Sequence, residues 1–245
     1  DAAPAAVLQA FFPGEEGGTA IVDLLLGAAA PSGRLPVSLP RATGAQPSTY
    51  AHPRLGGPSD VTSADPTPLR PFGFGLSYAA FAYDDLEAPA EAATDAGIAV
   101  AVTVTNTGEV AADEVVQLYG HDVVGSVPRP LVQLLAYARV PLQPGESARV
   151  HLDVPAHRLS FVDRSLARVV EPGDLDVWVA SHAAALADLD DGDDPTAGVI
   201  ANERRSVRAS LPGTATPRVR VLLTGPVHEV GVDDERVVAW RVERA

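Results

Sequence analysis

From residue 80 onward the chain repeats on a period of two. Ile98, Val100, Val102 and Val104 alternate with Ala99, Ala101, Thr103 and Thr105, and Asn106-Thr107-Gly108 then turns the chain. That period places alternate side chains on opposite faces of an extended strand, so the pattern builds a sheet with one apolar face and does not suit a helix. It returns downstream. Val116, Leu118 and Gly120 oppose Gln117 and Tyr119, Leu135 to Leu142 ends at Pro144-Gly145-Glu146, and Val150, Leu152 and Val154 alternate with His151 and Asp153. Pro172-Gly173 then divides Val169-Val170 from Leu175, Val177 and Val179.

With Phe81 to Leu86 these segments amount to about seven short strands at regular spacing, the signature of an all-β immunoglobulin-like or fibronectin type III sandwich. The chain has no Cys, which excludes the disulfide-linked antibody type. Residues 80–182 are therefore expected to form the sandwich. Residues 183–245 are expected to be a C-terminal extension, with further strands at Val219 to Leu223 and Glu235 to Val242.

The N-terminal part follows a different rhythm. Val7-Leu8-Gln9-Ala10-Phe11-Phe12 is a short apolar run suited to a strand buried on both faces. Pro13-Gly14-Glu15-Glu16-Gly17-Gly18 follows, then the helical pattern Ile21, Leu24, Leu25, Ala28. Gly27 is the expected stop and Pro31-Ser32-Gly33 a turn. Arg34 to Ser38 and Leu39 complete a βαβ-like unit. One such unit cannot close a core, so its partners are expected upstream of Asp1. Residues 41–76 are rich in Pro, Gly, Ser and Thr and are expected to be an ordered loop on a surface. Residues 1–79 thus read as the C-terminal part of an α/β domain plus this loop.

Composition narrows the function classes. A net charge of −14 argues against nucleic acid, which needs a basic surface. No apolar run approaches the roughly 20 residues of a membrane span, and the chain is expected to be soluble, cytoplasmic or secreted. All 18 basic residues are Arg, which excludes a Schiff-base or P-loop lysine. There is no Met, so Asp1 reads as a fragment or processed end.

Tested singly, the residues support no active site. Glu15-Glu16 lies at a strand end beside a Gly-rich turn, where a general acid could sit, but compensation of the helix dipole accounts for both charges. The run Asp188 to Asp194 fails the EF-hand pattern at Gly192 and Val199, and reads as a solvated loop. The six histidines are scattered. Tyr50 and His52, in the irregular loop, are the candidates for contact with a substrate. Gly73-Phe74-Gly75 reads as a tight turn packing aromatics.

Four stretches resemble glycoside hydrolase family 3, the β-glucosidase and β-xylosidase superfamily. They are Phe12-Pro13-Gly14-Glu15-Glu16-Gly17-Gly18 with Asp23-Leu24-Leu25-Leu26-Gly27; Pro31-Ser32-Gly33-Arg34-Leu35-Pro36; Arg70-Pro71-Phe72-Gly73-Phe74-Gly75-Leu76-Ser77-Tyr78; and the sandwich signals from Val104 to Gly173. They occur in the family's order and spacing over about residues 5–182. The resemblance implies an α/β fragment, the end of the family's α/β sandwich domain, followed by its fibronectin type III-like domain. It places the nucleophile Asp on a barrel and the acid/base Glu ahead of the Pro13–Gly18 stretch, so no catalytic residue is expected in this chain.

The implied role is to scaffold the site of a retaining, exo-acting β-glycosidase that acts on a β-glycoside through the complete enzyme, with the missing N-terminal barrel and α/β portion as partner. No metal or organic cofactor is implied, and homo-oligomerisation is left open. The alternative is a non-catalytic fibronectin-like module that binds carbohydrate or protein.

Overall fold

The computed structural model describes residues 4–46, 49–53, 66–184, 215–216 and 218–244. In chain order the elements are α1 (Gly17–Leu26), β1 (Leu39–Pro40), a 3-10 turn (Thr43–Ala45), β2 (Pro68–Arg70), β3 (Phe81–Glu87), β4 (Glu91–Ala93), β5 (Ile98–Asn106), β6 (Ala112–Asp122), β7 (Gln133–Leu142) and β8 (Ser147–Val154). There follow α2 (Ala156–Leu159), β9 (Phe161–Val162), β10 (Arg168–Val170), β11 (Gly173–Ala180), β12 (Val219–Thr224), β13 (His228–Glu229) and β14 (Ala239–Arg244).

Two sheets make the sandwich. One has the order β4-β12-β11-β6-β7 and the other β14-β8-β5-β3, with every pairing antiparallel except β12 with β4. The alternation in β5 is realised: Val100, Val102 and Val104 are buried between the sheets against Val116, Leu118, Val150, Leu152 and Val177. Burying a side chain of this size contributes about 1.5–3 kcal/mol.

The expected turns form for identifiable reasons. Asn106 is fully buried; its side-chain amide donates to the carbonyls of Val110 and Leu142, and its Oδ1 accepts from Gly108 N–H. Gly145, in the β7–β8 turn, takes a positive φ of 74° that a side chain would oppose.

Of the C-terminal strands, β12 and β14 belong to these two sheets, while β13 pairs with β10 in a separate three-stranded sheet. Val219 to Val177 is the first pair of the β12–β11 ladder, and β14 runs beside β8 from Ala239–Asp153 to Arg244–Ala148. The Asp188–Asp194 run lies outside the described residues.

The N-terminal segment departs from expectation in three places. Val7 to Phe12 is not a strand: Val7 is 77% and Phe12 102% exposed, because no neighbouring strand exists among the described residues to receive their amides and side chains. The βαβ-like return strand is also missing. Only Leu39–Pro40 pairs, and its partner is Pro68–Arg70 in antiparallel sense. Glu16 is the N-cap and the helix starts at Gly17, so neither Glu lies in the first turn. The helix itself forms and stops as expected, with Gly27 at φ 76° donating to Asp23 and Leu24 carbonyls.

Candidate functional site

The N-terminal segment is fastened to the sandwich along the outer face of the five-stranded sheet. Strand β6 is buried on both faces, because Gln117 and Tyr119 point away from the main core yet are covered. Tyr119 and Trp178 lie 6.2 Å apart in a second apolar cluster, closed over by Tyr50, Phe72, Leu131, Leu134 and Ala215. Phe72 is pinned from three sides. Its ring stacks on Tyr50 at 4.2 Å, its N–H donates to Ser38 Oγ, and its carbonyl accepts from Ala183 N–H.

Gly73 then passes so close to the sheet that an added Cβ would lie 2.6 Å from the Tyr119 hydroxyl and against Gln117 Oε1. Its φ of 80° also favours glycine. Gln117 completes the seam by donating to the carbonyls of Gly73 and Ser181 while accepting from Tyr119.

A buried polar cluster anchors the segment further along. Arg34 Nη2 lies 2.6 Å from Glu114 Oε2, and Tyr83 O–H donates to Glu114 Oε1 at 2.6 Å. The side chains of Arg34 and Glu114 are 9% and 1% exposed. Burial pushes the Glu114 carboxyl up from its ordinary range, against the opposing pull of Arg34 and the Tyr83 hydrogen bond. Burial and the neighbouring Glu114 carboxylate likewise raise Tyr83 well above a free phenol. These are the features of a structural ion pair that holds two parts of the chain together. Smaller ties run alongside: Tyr78 O–H to the Leu24 carbonyl at 2.7 Å and Arg139 to Ser32 Oγ at 2.7 Å.

Sequence reasoning missed this cluster, although a signal was present. Glu114 shares its strand face with Val116 and Leu118, and a carboxylate on an apolar face requires a buried partner. Of the substrate-contact candidates, Tyr50 is built into the aromatic seam and its hydroxyl accepts from Leu134 N–H. The His52 ring lies beside the Pro53 carbonyl at 3.1 Å, and its own carbonyl accepts from Leu131 N–H. The two therefore sit on one ordered stretch.

On the far side the segment presents unpartnered apolar surface. Val22, Leu25 and Leu26 of α1 are 50%, 68% and 80% exposed, close in sequence to the exposed Leu8, Phe11 and Phe12. A surface helix of a finished domain turns such residues inward. Of this helix only Gly17 is buried, and the Tyr78 hydroxyl on the Leu24 carbonyl ties it to the rest of the chain.

The described residues thus form a β-sandwich with a helix-bearing N-terminal segment folded onto it. Residues 1–78 match the glycosyl hydrolase family 3 C-terminal domain, and residues 114–183 match the fibronectin type III-like domain. The chain belongs to glycoside hydrolase family 3, of which it carries the C-terminal α/β and fibronectin type III-like regions.

Among its relatives, a periplasmic β-glucosidase of Salmonella typhimurium is 34% identical over 192 residues, covering 74% of this chain and 25% of that protein. A β-xylosidase of Formosa agariphila is 37% identical over 187 residues, covering 73% and 25%. The crystal structure of a Listeria innocua β-glucosidase in complex with glucose superposes with a TM-score of 0.71 at 30% identity, covering 89% of this chain and 28% of that one. The chain thus spans about a quarter of the length of these relatives. No helix among the described residues is long and apolar enough to cross a membrane.

Proposed function

We propose that this chain serves as the C-terminal scaffold of a retaining, exo-acting β-glycosidase that removes a terminal glucose, xylose or related β-linked sugar. The carrying observation is that α1 leaves Val22, Leu25 and Leu26 bare while the stretches after it, at Arg34, Tyr50 and Phe72, are clamped to the sandwich. The clamp fixes the α/β remnant on the sandwich, and the bare face awaits the rest of its sheet. The nucleophile and acid/base carboxylates are supplied from outside these residues. In a retaining enzyme they lie about 5 Å apart, so a rigid scaffold matters to their spacing.

In this reading residues 1–79, 80–182 and 183–245 are successive units, the last lending strands to the sheets of the second. Tyr50 and His52 lie near the substrate entrance, the Tyr50 hydroxyl held by Leu134 N–H and the His52 carbonyl by Leu131 N–H.

The test measures hydrolysis of chromogenic β-glucosides and β-xylosides by the chain alone and after mixing with the upstream portion of its protein. Activity only in the mixture is the expected result, with a raised KM for the His52→Ala variant. Hydrolysis by the chain alone would overturn the assignment of the carboxylates. Sugar binding by the isolated chain, with an inert mixture, would instead establish the non-catalytic binding module.

A further inference from the structure

We propose that β14 forms a twofold interface with a second copy of this chain, by antiparallel pairing centred on Val242. This does not rest on the enzymatic reading. Strand β14 ends its sheet, pairing with β8 on one side and with no described strand on the other.

The free side carries a defined row of backbone groups. Asn106 N–H donates to the Glu146 carbonyl, which marks that pair as hydrogen-bonded in the β5–β8 ladder. Hydrogen-bonded and non-hydrogen-bonded pairs alternate along an antiparallel ladder. The amides of Ala148, Val150 and Leu152 therefore face β5, and those of Arg149, His151 and Asp153 face β14. By the same alternation Ala239, Arg241 and Glu243 bond to β8, while Trp240, Val242 and Arg244 direct their N–H and C=O groups to the open edge. A long open edge of this kind is a template for another strand.

The side chains select the register. Arg241 and Glu243 lie on the outer sheet face with His151 and Arg149, opposite in charge and two residues apart. Pairing centred on Val242 sets Arg241 against Glu243 of the second copy, and Glu243 against its Arg241. Both fall at non-hydrogen-bonded positions, where opposing side chains approach most closely. A shift of the centre to Arg241 faces Arg against Arg, and a shift to Glu243 faces Glu against Glu. Charge thus penalises both neighbouring twofold registers.

The inner face adds an apolar element. Trp240 lies opposite the fully buried Leu152 yet is 51% exposed, because the sandwich is open at this edge. Pairing brings it beside Arg244 of the second copy and extends the four-stranded sheet across the twofold axis. Such an interface is isologous and closed, so it stops at a dimer.

Sedimentation velocity over a concentration series tests this on the full chain carrying Leu25→Glu and Leu26→Glu, which removes association through α1. A monomer–dimer equilibrium is expected. Glu243→Arg sets like charges across both outer pairs and should weaken self-association by at least about tenfold. Exchanging the charges in Arg241→Glu/Glu243→Arg should restore it. Val242→Pro deletes an amide used only between copies and should give a monomer with an unchanged circular dichroism spectrum. A monomer at every concentration, or a dimer indifferent to Glu243→Arg, overturns the proposal. So does failure of the exchanged pair to recover.

Discussion

Replacing Arg34 with Met leaves Glu114 buried without its counter-charge, with Tyr83 and the Val115 backbone N–H as its remaining hydrogen-bond partners. The two charges have side chains 9% and 1% exposed and approach to 2.6 Å. With charge centres about 4 Å apart and an effective dielectric constant of about 20, their attraction is about 4 kcal/mol. Desolvation offsets much of that, but removing one partner leaves the desolvation of the other uncompensated and costs about 3–5 kcal/mol. Glu114→Gln should do comparable damage by stranding Arg34, whose Nε already lacks a partner.

Urea unfolding followed by fluorescence of Trp178, in a Trp240→Phe background, reports the loss, since Trp178 lies beneath the Tyr50–Phe72 seam. The double variant should recover about 2 kcal/mol relative to the sum of the singles. The raised Glu114 carboxyl adds a pH signature. A carboxyl raised on folding favours the folded state at low pH, and that contribution fades as pH climbs from about 4.3 through the raised value. The gap between wild type and Glu114→Gln should therefore narrow over that window. Single losses below about 1 kcal/mol, or strict additivity, would refute the view that this pair clamps the segment.

Three further outcomes follow from the same contacts. Tyr83 and Tyr119 are both raised by burial, so folding favours their neutral hydroxyls; melting temperature should fall as pH rises beyond about 10, and less steeply in Tyr83→Phe. Gly73→Ala should cost at least about 2 kcal/mol, read by urea unfolding, because the Cβ meets Gln117 and Tyr119 and φ is positive. The paired Leu25→Glu and Leu26→Glu changes should leave the melting temperature nearly unaltered, within about 0.5 kcal/mol, while light scattering shows less aggregation of the isolated chain.

The period-two alternation by itself determined the sandwich. Ile98 to Val104, Val116 to Gly120 and Val150 to Val154 could satisfy their apolar faces only as paired strands, and the turn residues between them marked where the chain reverses. The resemblance motifs likewise identified the family. Helix α1 and its Gly27 stop were equally legible, since helix periodicity and a left-handed cap are local properties. The apolar run Val7 to Phe12 was misread for a related reason. A strand exists only where another receives its amides, and local sequence cannot say whether that neighbour is present.

Tertiary structure alone decided the rest. The face of β6 that carries Gln117 and Tyr119 became a second buried face because the Tyr50 and Phe72 loop returns to cover it. Arg34 and Glu114 stand 80 residues apart. Nothing short of the folded chain brings them together, since an ion pair depends on distance in space while periodicity records only distance along the chain.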